Sequence, residues 1–265
     1  MKRHYYRVVV SYNGSNYFGW QDQGVEENKA TVQGTITQAL RKICKYAECN
    51  VAGASRTDAG VHAHGQVAKF SIPLEINSEK LQLGLNSLLP DDIRIRQCTN
   101  CQADFNPNKQ SISKKYRYYF SMDRVSSPML NEIVAHVPSK TEGAKSNAEL
   151  DLEGIKQVCK IFVGEHDFYS FASRDQNISS TSRTINYLEI KRADALGLDA
   201  EVYYIEIEGS GFLKHMVRYI VGALFEAGRH AINSEDIREA LCNRNEKKLS
   251  PKAKARGLHL IEINY

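Results

Sequence analysis

The chain has 265 residues, 42% of them hydrophobic and 25% charged, with a formal net charge of +4 at pH 7. That length suits one large or two small domains with a substantial core, and that balance is ordinary for a soluble globular protein. No apolar run approaches the roughly 20 residues of a membrane span, and Met1-Lys-Arg-His-Tyr-Tyr-Arg7 opens directly on a strand pattern, so neither a spanning helix nor a signal peptide is expected. The mild positive charge permits a polyanionic partner without demanding one. Six cysteines, at 44, 49, 98, 101, 159 and 242, are too sparse for a disulfide scaffold. Cys98-Thr-Asn-Cys101 lacks the second pair that a four-ligand zinc site needs, so all six read as free cytosolic thiols.

Tyr5 to Tyr12 predicts a strand that ends at the turn Asn13-Gly14. A helix is predicted from Thr31, a plausible N-cap, to about Lys45, with Val32, Ile36, Leu40 and Ile43 at helical spacing. Two strands flank a turn at Asp58. A second helix runs from Ser78 to about Leu88, with Leu81, Leu85 and Leu88 on one side and Pro90 as its stop. Ile93 to Arg96 alternates like a strand, and the breaker-rich Phe105-Asn-Pro-Asn108 places a domain boundary, giving domains 1–105 and 106–265. Tyr116 to Met122 reads as a strand, Pro138 to Asn147 as a polar surface loop, and Leu152, Ile155, Cys159 and Phe162 mark a third helix. Ile185–Lys191 and Val202–Glu208 suggest a hairpin around Leu196-Gly-Leu-Asp199. A long helix is expected from Phe212 to Ala227, a short one from Ser234, and a final strand from Gly257 to Tyr265. Strands and helices mix in similar order in both halves, which suggests an α+β fold of two related halves.

The string Gly53-Ala-Ser-Arg-Thr-Asp-Ala-Gly-Val-His-Ala-His-Gly65 puts one carboxylate, Asp58, into a tight turn between strand-like runs. Ala59 and Gly60 leave the space beside it almost bare, and Gly60 can take positive φ. A plain turn needs no more than Asp-Gly or Asn-Gly, so the longer string is specific. Lys114-Lys-Tyr-Arg-Tyr-Tyr-Phe120 interleaves rings and cations. Tyr116, Tyr118 and Phe120 share one face of a regular pleat and can simply be core; alternatively a ring stacks on a base while cations meet phosphates. Arg218 falls on a largely apolar helix, where an arginine must be paired. His62 and His64 alternate along one strand with no third ligand at convincing spacing. Basic clusters at Lys109, Lys114-Lys115-Arg117, Arg183, Lys191-Arg192, Arg244 to Lys248 and Lys252 to Arg256 could together track a phosphate backbone. Gly209-Ser-Gly211 has no third glycine and gives no dinucleotide signal.

Arg56-Thr-Asp-Ala-Gly-Val-His62 resembles the signature of the tRNA pseudouridine synthase A family. Other strings follow in that family's order: Tyr12-Asn-Gly-Ser-Asn-Tyr-Phe-Gly-Trp-Gln21, Thr31-Val-Gln-Gly34, Asn86-Ser-Leu-Leu-Pro-Asp-Asp-Ile93, Lys115-Tyr-Arg-Tyr118, Gly164-Glu-His-Asp-Phe168, Ser182-Arg-Thr184, Gly211-Phe-Leu-Lys-His-Met-Val-Arg-Tyr-Ile-Val-Gly222 and Gly257-Leu-His-Leu260. The resemblance runs from about Tyr5 to Tyr265. It implies the pseudouridine synthase fold, two related α+β domains whose sheets meet at a central catalytic cleft, with the Asp loop in the first. The implied activity is isomerisation of uridine to pseudouridine in the anticodon stem-loop of tRNA, at positions 38 to 40. The resemblance further implies a cytoplasmic homodimer whose two subunits both contact one tRNA, with no cofactor, no metal and no membrane.

Residue by residue, the resemblance makes Asp58 the nucleophile, with Arg218 as its partner. It puts Tyr116 against the target uracil, with Phe212 and Leu213 lining the same pocket. Arg56 would help to extrude the target nucleotide, since chemistry on a stacked base requires unstacking. Lys114, Lys115 and Arg183 are candidates for the RNA backbone. Two departures from the family pattern stand out: Asn13 replaces an aspartate of the first string, and Phe105-Asn-Pro-Asn-Lys109 replaces a common F-H-A-R, removing a His and an Arg that could touch RNA. A non-catalytic RNA-binding protein on the same fold is the alternative, but it has no need of a carboxylate near phosphates. An acid-dependent hydrolase would want a second carboxylate beside Asp58, and the motif offers none.

Overall fold

The computed structural model describes residues 2–22, 30–138, 150–175, 178–194 and 200–265. The expected surface loop after Pro138 and the expected turn at Leu196–Asp199 lie outside the described residues. The chain forms two compact units, Met1–Ile112 with His259–Tyr265, and Ser113–Leu258. The division falls just beyond the breaker stretch Phe105–Asn108.

The first unit is built on β1 (His4–Tyr12), whose alternation buries Tyr6, Val8, Val10 and Tyr12 and leaves Tyr5, Arg7, Val9 and Ser11 half-buried. Antiparallel neighbours β3 (His62–Ile72) and β4 (Ile93–Asn100) flank it. β2 (Asn50–Gly53) pairs with the C-terminal half of β3. The N-terminal half of β3 takes a parallel partner, β10 (Leu258–Asn264), at His259↔His62 and Leu260↔Ala63. That pairing is why the last residues belong to this unit, although the sequence order puts them in the second half.

Helix α1 (Val32–Ile43) begins at Thr31, whose hydroxyl accepts from the Gly34 amide as a cap should. It buries Val32, Ile36, Ala39 and Leu40. Helix α2 (Ser78–Leu88) is capped by Asn77 and buries Leu81 and Leu85. Leu88, expected beside them, is 45% exposed on the last turn. Leu89 is already extended, as a residue before proline prefers.

The second unit is an antiparallel sheet in the order β5 (Ser113–Ser121), β9 (Val202–Gly209), β8 (Ser182–Arg192), β7 (Gly164–Asp167), with the short β6 (Ala135–His136) parallel to β5. On β5, Tyr116, Tyr118 and Phe120 are all buried. From the other face Arg117 Nε donates to Glu206 Oε2 at 2.5 Å, and Tyr187 donates its hydroxyl to Oε1 at 2.9 Å. Burial pushes the Glu206 carboxyl up, but these donors outweigh it and hold the group below the usual carboxylate range.

Three helices complete the unit: α3 (Leu152–Cys159), α4 (Met216–Gly228) and α5 (Ser234–Cys242). The α-helical part of the third helix ends at Cys159 and tightens into a 3₁₀ turn over Lys160–Phe162. The long helix starts at Met216, not at Phe212. His215 is left-handed (φ 63°), and the Met216 amide closes a turn onto the Leu213 carbonyl. Phe212 and Leu213 therefore precede the helix. Among the described residues no helix is long and apolar enough to cross a membrane. All six cysteines are free thiols, and burial pushes Cys44, Cys98 and Cys159 up to about 12.

Lys114 is buried in β5, and desolvation lowers its ammonium from 10.5 to about 8. The unfolded chain then holds this proton to higher pH than the native one, so this group's contribution to stability rises between about pH 8 and 10.5. Urea unfolding of wild type and Lys114→Met across that window should show the wild type gaining on the variant as pH rises. Parallel pH profiles would rule out the buried ammonium.

Candidate active site

The loop between β2 and β3 carries Asp58. Its turn closes from the Val61 amide to the Asp58 carbonyl at 3.2 Å, and Gly60 takes φ 74° as its position requires. Ala54 and Ser55 anchor one end of the loop. The Ala54 amide donates to Val67 O, and the Gln66 side chain bridges both backbone groups of Ser55. Asp58 itself is half-exposed, Ala59 is exposed and Thr57 is buried.

The segment from Tyr12 to Trp20 holds the other side of the loop. Trp20 N donates to Thr57 O at 3.1 Å, and Gly60 N donates to Tyr17 O at 3.2 Å. The Tyr12 and Thr57 hydroxyls share a buried hydrogen bond of 2.7 Å, and Gly14 N donates to His62 Nδ1 at 3.1 Å. Two close approaches fix the fit. A Cβ at Gly14 would lie 2.0 Å from Val61 O, and one at Gly19, already at φ 91°, would lie 2.5 Å from Thr57 O. Trp20 fills the space beneath, its indole against Gly53.

Two other strings join the same assembly. The Tyr17 hydroxyl donates to Asp92 Oδ1 at 2.6 Å, and Asn13 N donates to Asp92 O. Val32 N and Gln33 N, at the start of α1, donate to Gly19 O and Trp20 O. Strings that are separate in sequence thus form one support for the Asp58 turn. From the sequence, Tyr12 ends a strand and Gly14 makes a turn, but neither they nor Gly19 and Trp20 are given a part in holding the Asp58 turn. Their glycine and aromatic spacing is the available signal.

His62 stacks on His259 at 4.5 Å, and His64 Nε2 lies 3.2 Å from His259 Nδ1. A third histidine therefore does stand beside the pair. Its source, β10, is far away in sequence, and spacing could not reveal it. Among the described residues, no three His, Cys, Asp or Glu side chains are arranged to hold a metal.

The second unit gathers other expected site residues. Tyr116 is buried and meets Phe212 edge-to-face at 5.3 Å. Phe212 is half-buried and Leu213 is buried. Arg183, on β8, lies with Nε 4.0 Å from the place of a Cβ at Gly211, next to Phe212. Its guanidinium donates to the Ser180 and Ser182 carbonyls, and burial lowers its pKa.

Arg218 is on the first turn of α4. Its Nε donates to Ala253 O at 2.7 Å while Ala253 N donates to Arg218 O, so the 250–254 segment fixes the direction of the guanidinium. Lys115 lies 3.7 Å from Glu208, its cross-strand partner. Lys114 is buried. Arg56 is exposed and makes no hydrogen bond or ion pair among the described residues.

Residues 8–108 and 158–265 match a family model described as tRNA pseudouridine synthase. The chain belongs to this family. It is 47% identical over 262 residues to tRNA pseudouridine synthase A 2 of Desulfotalea psychrophila, and 35% identical over 259 residues to tRNA pseudouridine synthase A of Acetivibrio thermocellus, covering 98% of each chain in both cases. A solved archaeal box H/ACA sRNP Nop10–Cbf5 complex matches 97% of this chain and 46% of that one at 11% identity, with a TM-score of 0.31. The protein is thus an enzyme of tRNA pseudouridine synthesis, an isomerase, with an α+β fold of the pseudouridine synthase type. The matched stretches contain Arg56 and Asp58 on one side and Arg183, Phe212, Leu213 and Arg218 on the other. Lys114, Lys115 and Tyr116 fall between them.

Gly19→Ala should lower stability by about 1–3 kcal/mol, because backbone atoms of Thr57 and Asp58 cannot yield to a Cβ as a flexible side chain would. Pseudouridine formation should fall with it. Gly84→Ala, on α2 with its nearest neighbour 3.6 Å away, should be neutral or stabilising. Urea midpoints of the two variants check the contrast. Equal midpoints would mean the loop adapts without cost.

Proposed function

We propose that this isomerase acts on the anticodon stem-loop of tRNA, at positions 38 to 40, with Asp58 as its nucleophile. The support is the way the Asp58 turn is built. A half-exposed carboxylate stands beside Ala59 and Gly60, on backbone fixed from both sides by the Tyr12–Trp20 segment and by Gln66. A carboxylate held by backbone geometry loses little freedom when a substrate arrives, which favours attack from a set position.

The reaction breaks the bond between uracil N1 and the ribose and joins the ribose to uracil C5. C5 gives up its proton and N1 gains one, so substrate and product are isomers. The chemistry needs a nucleophile, a pocket that holds the detached base while it turns, and no change of oxidation state.

The other roles follow in the same reading. Arg218, oriented by Ala253, is the partner of the carboxylate. Tyr116, held edge-to-face by Phe212, lies against the uracil, with Leu213 completing the apolar wall. Arg56 is exposed and uncommitted beside the turn, which suits a side chain that fills the gap left by an extruded base. Lys115 and Arg183 suit phosphate contacts. Burial makes Lys114 a poorer candidate. The family resemblance extends the proposal to a cytoplasmic homodimer with one tRNA touching both subunits, which light scattering of the enzyme with and without tRNA can test.

Asp58→Asn keeps the shape of the side chain and removes its charge. It should reduce pseudouridine formation by roughly a thousandfold or more while leaving tRNA affinity and urea stability near wild type. Appreciable turnover by the purified variant would displace Asp58 as nucleophile. Mapping the modified positions on unmodified tRNA transcripts tests the assignment to 38 to 40.

Arg56→Ala should slow single-turnover conversion on folded tRNA by on the order of 10- to 100-fold, because extruding a stacked base costs a few kcal/mol and a filling side chain recovers part of it. Binding should change little. Lysine should rescue poorly, since it lacks the flat guanidinium that stacks on bases. A normal rate at saturating enzyme with weakened, less salt-dependent binding would instead make Arg56 a phosphate anchor.

A further inference from the structure

One face of the first unit's sheet carries cations that no carboxylate answers among the described residues. Arg7 on β1 stands directly opposite Lys69 on β3, and Tyr5 stands opposite Ser71. The Arg7 guanidinium lies 4.7 Å from the Tyr265 ring and 5.9 Å from the Phe105 ring, and its Nε is buried without a hydrogen-bond partner. Lys69 donates to Ala103 O and lies 4.7 Å from the Tyr5 ring. Arg3 adds a third cation, bound to Ser71 Oγ and O at 2.9 Å and to Glu48 O at 3.3 Å. Among the described residues none of the three forms an ion pair with an Asp or Glu.

This arrangement is unfavourable by itself. Like charges directly opposite on a sheet repel, and a buried donor without an acceptor costs its lost solvation. The face also holds an open cavity of about 280 Å³, lined by Arg3, Tyr5, Lys69, Ser71, Phe105 and Asn106 among others. Cations beside half-buried aromatic rings, two of which line a cavity, offer a polynucleotide strand charge for its phosphates and an aromatic wall for a base.

We infer that this face binds a stretch of RNA backbone, with Arg7 and Lys69 each meeting a phosphodiester. A neighbouring nucleotide lies in the cavity against Tyr5 or Phe105. The inference rests on the reading of tRNA as the substrate, and it adds a contact beyond the nucleotide presented to Asp58. Each cation then finds the anionic partner it lacks in the protein alone.

The test is the salt dependence of binding. Unmodified tRNA transcript is titrated with the full chain between about 50 and 200 mM salt, using wild type, Lys69→Gln, Arg7→Gln and the double variant. Lys80→Gln, an exposed position on α2, is the control. Removal of one cation that meets a phosphate should reduce the slope of log K against log salt by about 0.9. The single variants should therefore have slopes shallower by about one unit and bind several-fold more weakly. The double variant should be shallower by about two units, and Lys80→Gln unchanged. Circular dichroism melts show whether each variant is folded, and Lys69→Gln carries the test if removing the Arg7 guanidinium from its rings unfolds the chain. Wild-type slopes in Lys69→Gln and in any folded Arg7 variant would overturn the inference, as would a change of oligomeric state with the slope intact, which would make the face a contact between copies. Failure of wild type to form pseudouridine is read in a separate assay and would count against the tRNA reading.

Discussion

Everything at the proposed reacting end of the first unit depends on how closely two stretches of backbone approach one another. The Tyr12–Trp20 segment and the Thr57–Val61 turn touch main chain to main chain, and a methyl group at Gly14 or Gly19 has nowhere to go. Main-chain hydrogen bonds join the two stretches, Trp20 to Thr57 and Gly60 to Tyr17, and the buried Tyr12–Thr57 hydroxyl pair adds a side-chain link. Side chains then wedge the pair from outside, Trp20 beneath and Tyr17 tied to Asp92. Such a joint has few soft degrees of freedom, because its main chains touch directly and the side chains that brace it are packed or hydrogen-bonded. It sets the backbone position from which the Asp58 carboxylate projects.

Much of this is legible in the sequence, but as separate strings. The cap at Thr31, the helical spacing of Val32, Ile36 and Leu40, and the alternation of β1 each act locally, so residue patterns report them directly. The seven-residue string around Asp58 carries enough local specificity to single out its turn. What the patterns cannot report is which strings meet. Tyr12 with Thr57, Trp20 with Gly53 and His259 with His62 are tertiary contacts whose partners sit far apart along the chain. The start of α4 is misplaced by pattern for a related reason. Phe212 and Leu213 continue the apolar run of the helix, and nothing in composition announces the left-handed turn at His215. β7 is short and polar, Gly-Glu-His-Asp, and gains strand form from β8 rather than from its own residues.

A net charge of +4 says little until the cations are sorted by what they touch. Arg117 and Lys115 are answered by Glu206 and Glu208 across the strand pair, and they hold β5 to β9. Among the described residues Arg56, Arg7, Lys69 and Arg183 are not answered in this way; their contacts there are rings, carbonyls or solvent. Ion pairs between neighbouring strands stabilise the native sheet modestly. Unanswered cations contribute little or oppose it, and their worth lies in a polyanion that arrives from outside.

The pairing of β10 with β3 has a consequence for how the molecule is made. β3 emerges from the ribosome early, yet the strand that completes its N-terminal half is translated only after the whole second unit. Until then the backbone at His62 and Ala63 lacks this ladder partner, immediately beside the turn that carries Asp58. Closing so long a loop is slow, because the chain must lose its entropy before the contact returns any stabilisation. The second unit can fold first and shorten the search by bringing its two ends to fixed positions. Final ordering of the strand next to the proposed nucleophile would then be a late event of biosynthesis, and a nascent chain stalled before residue 259 would carry the Asp58 string without the strand that completes its sheet.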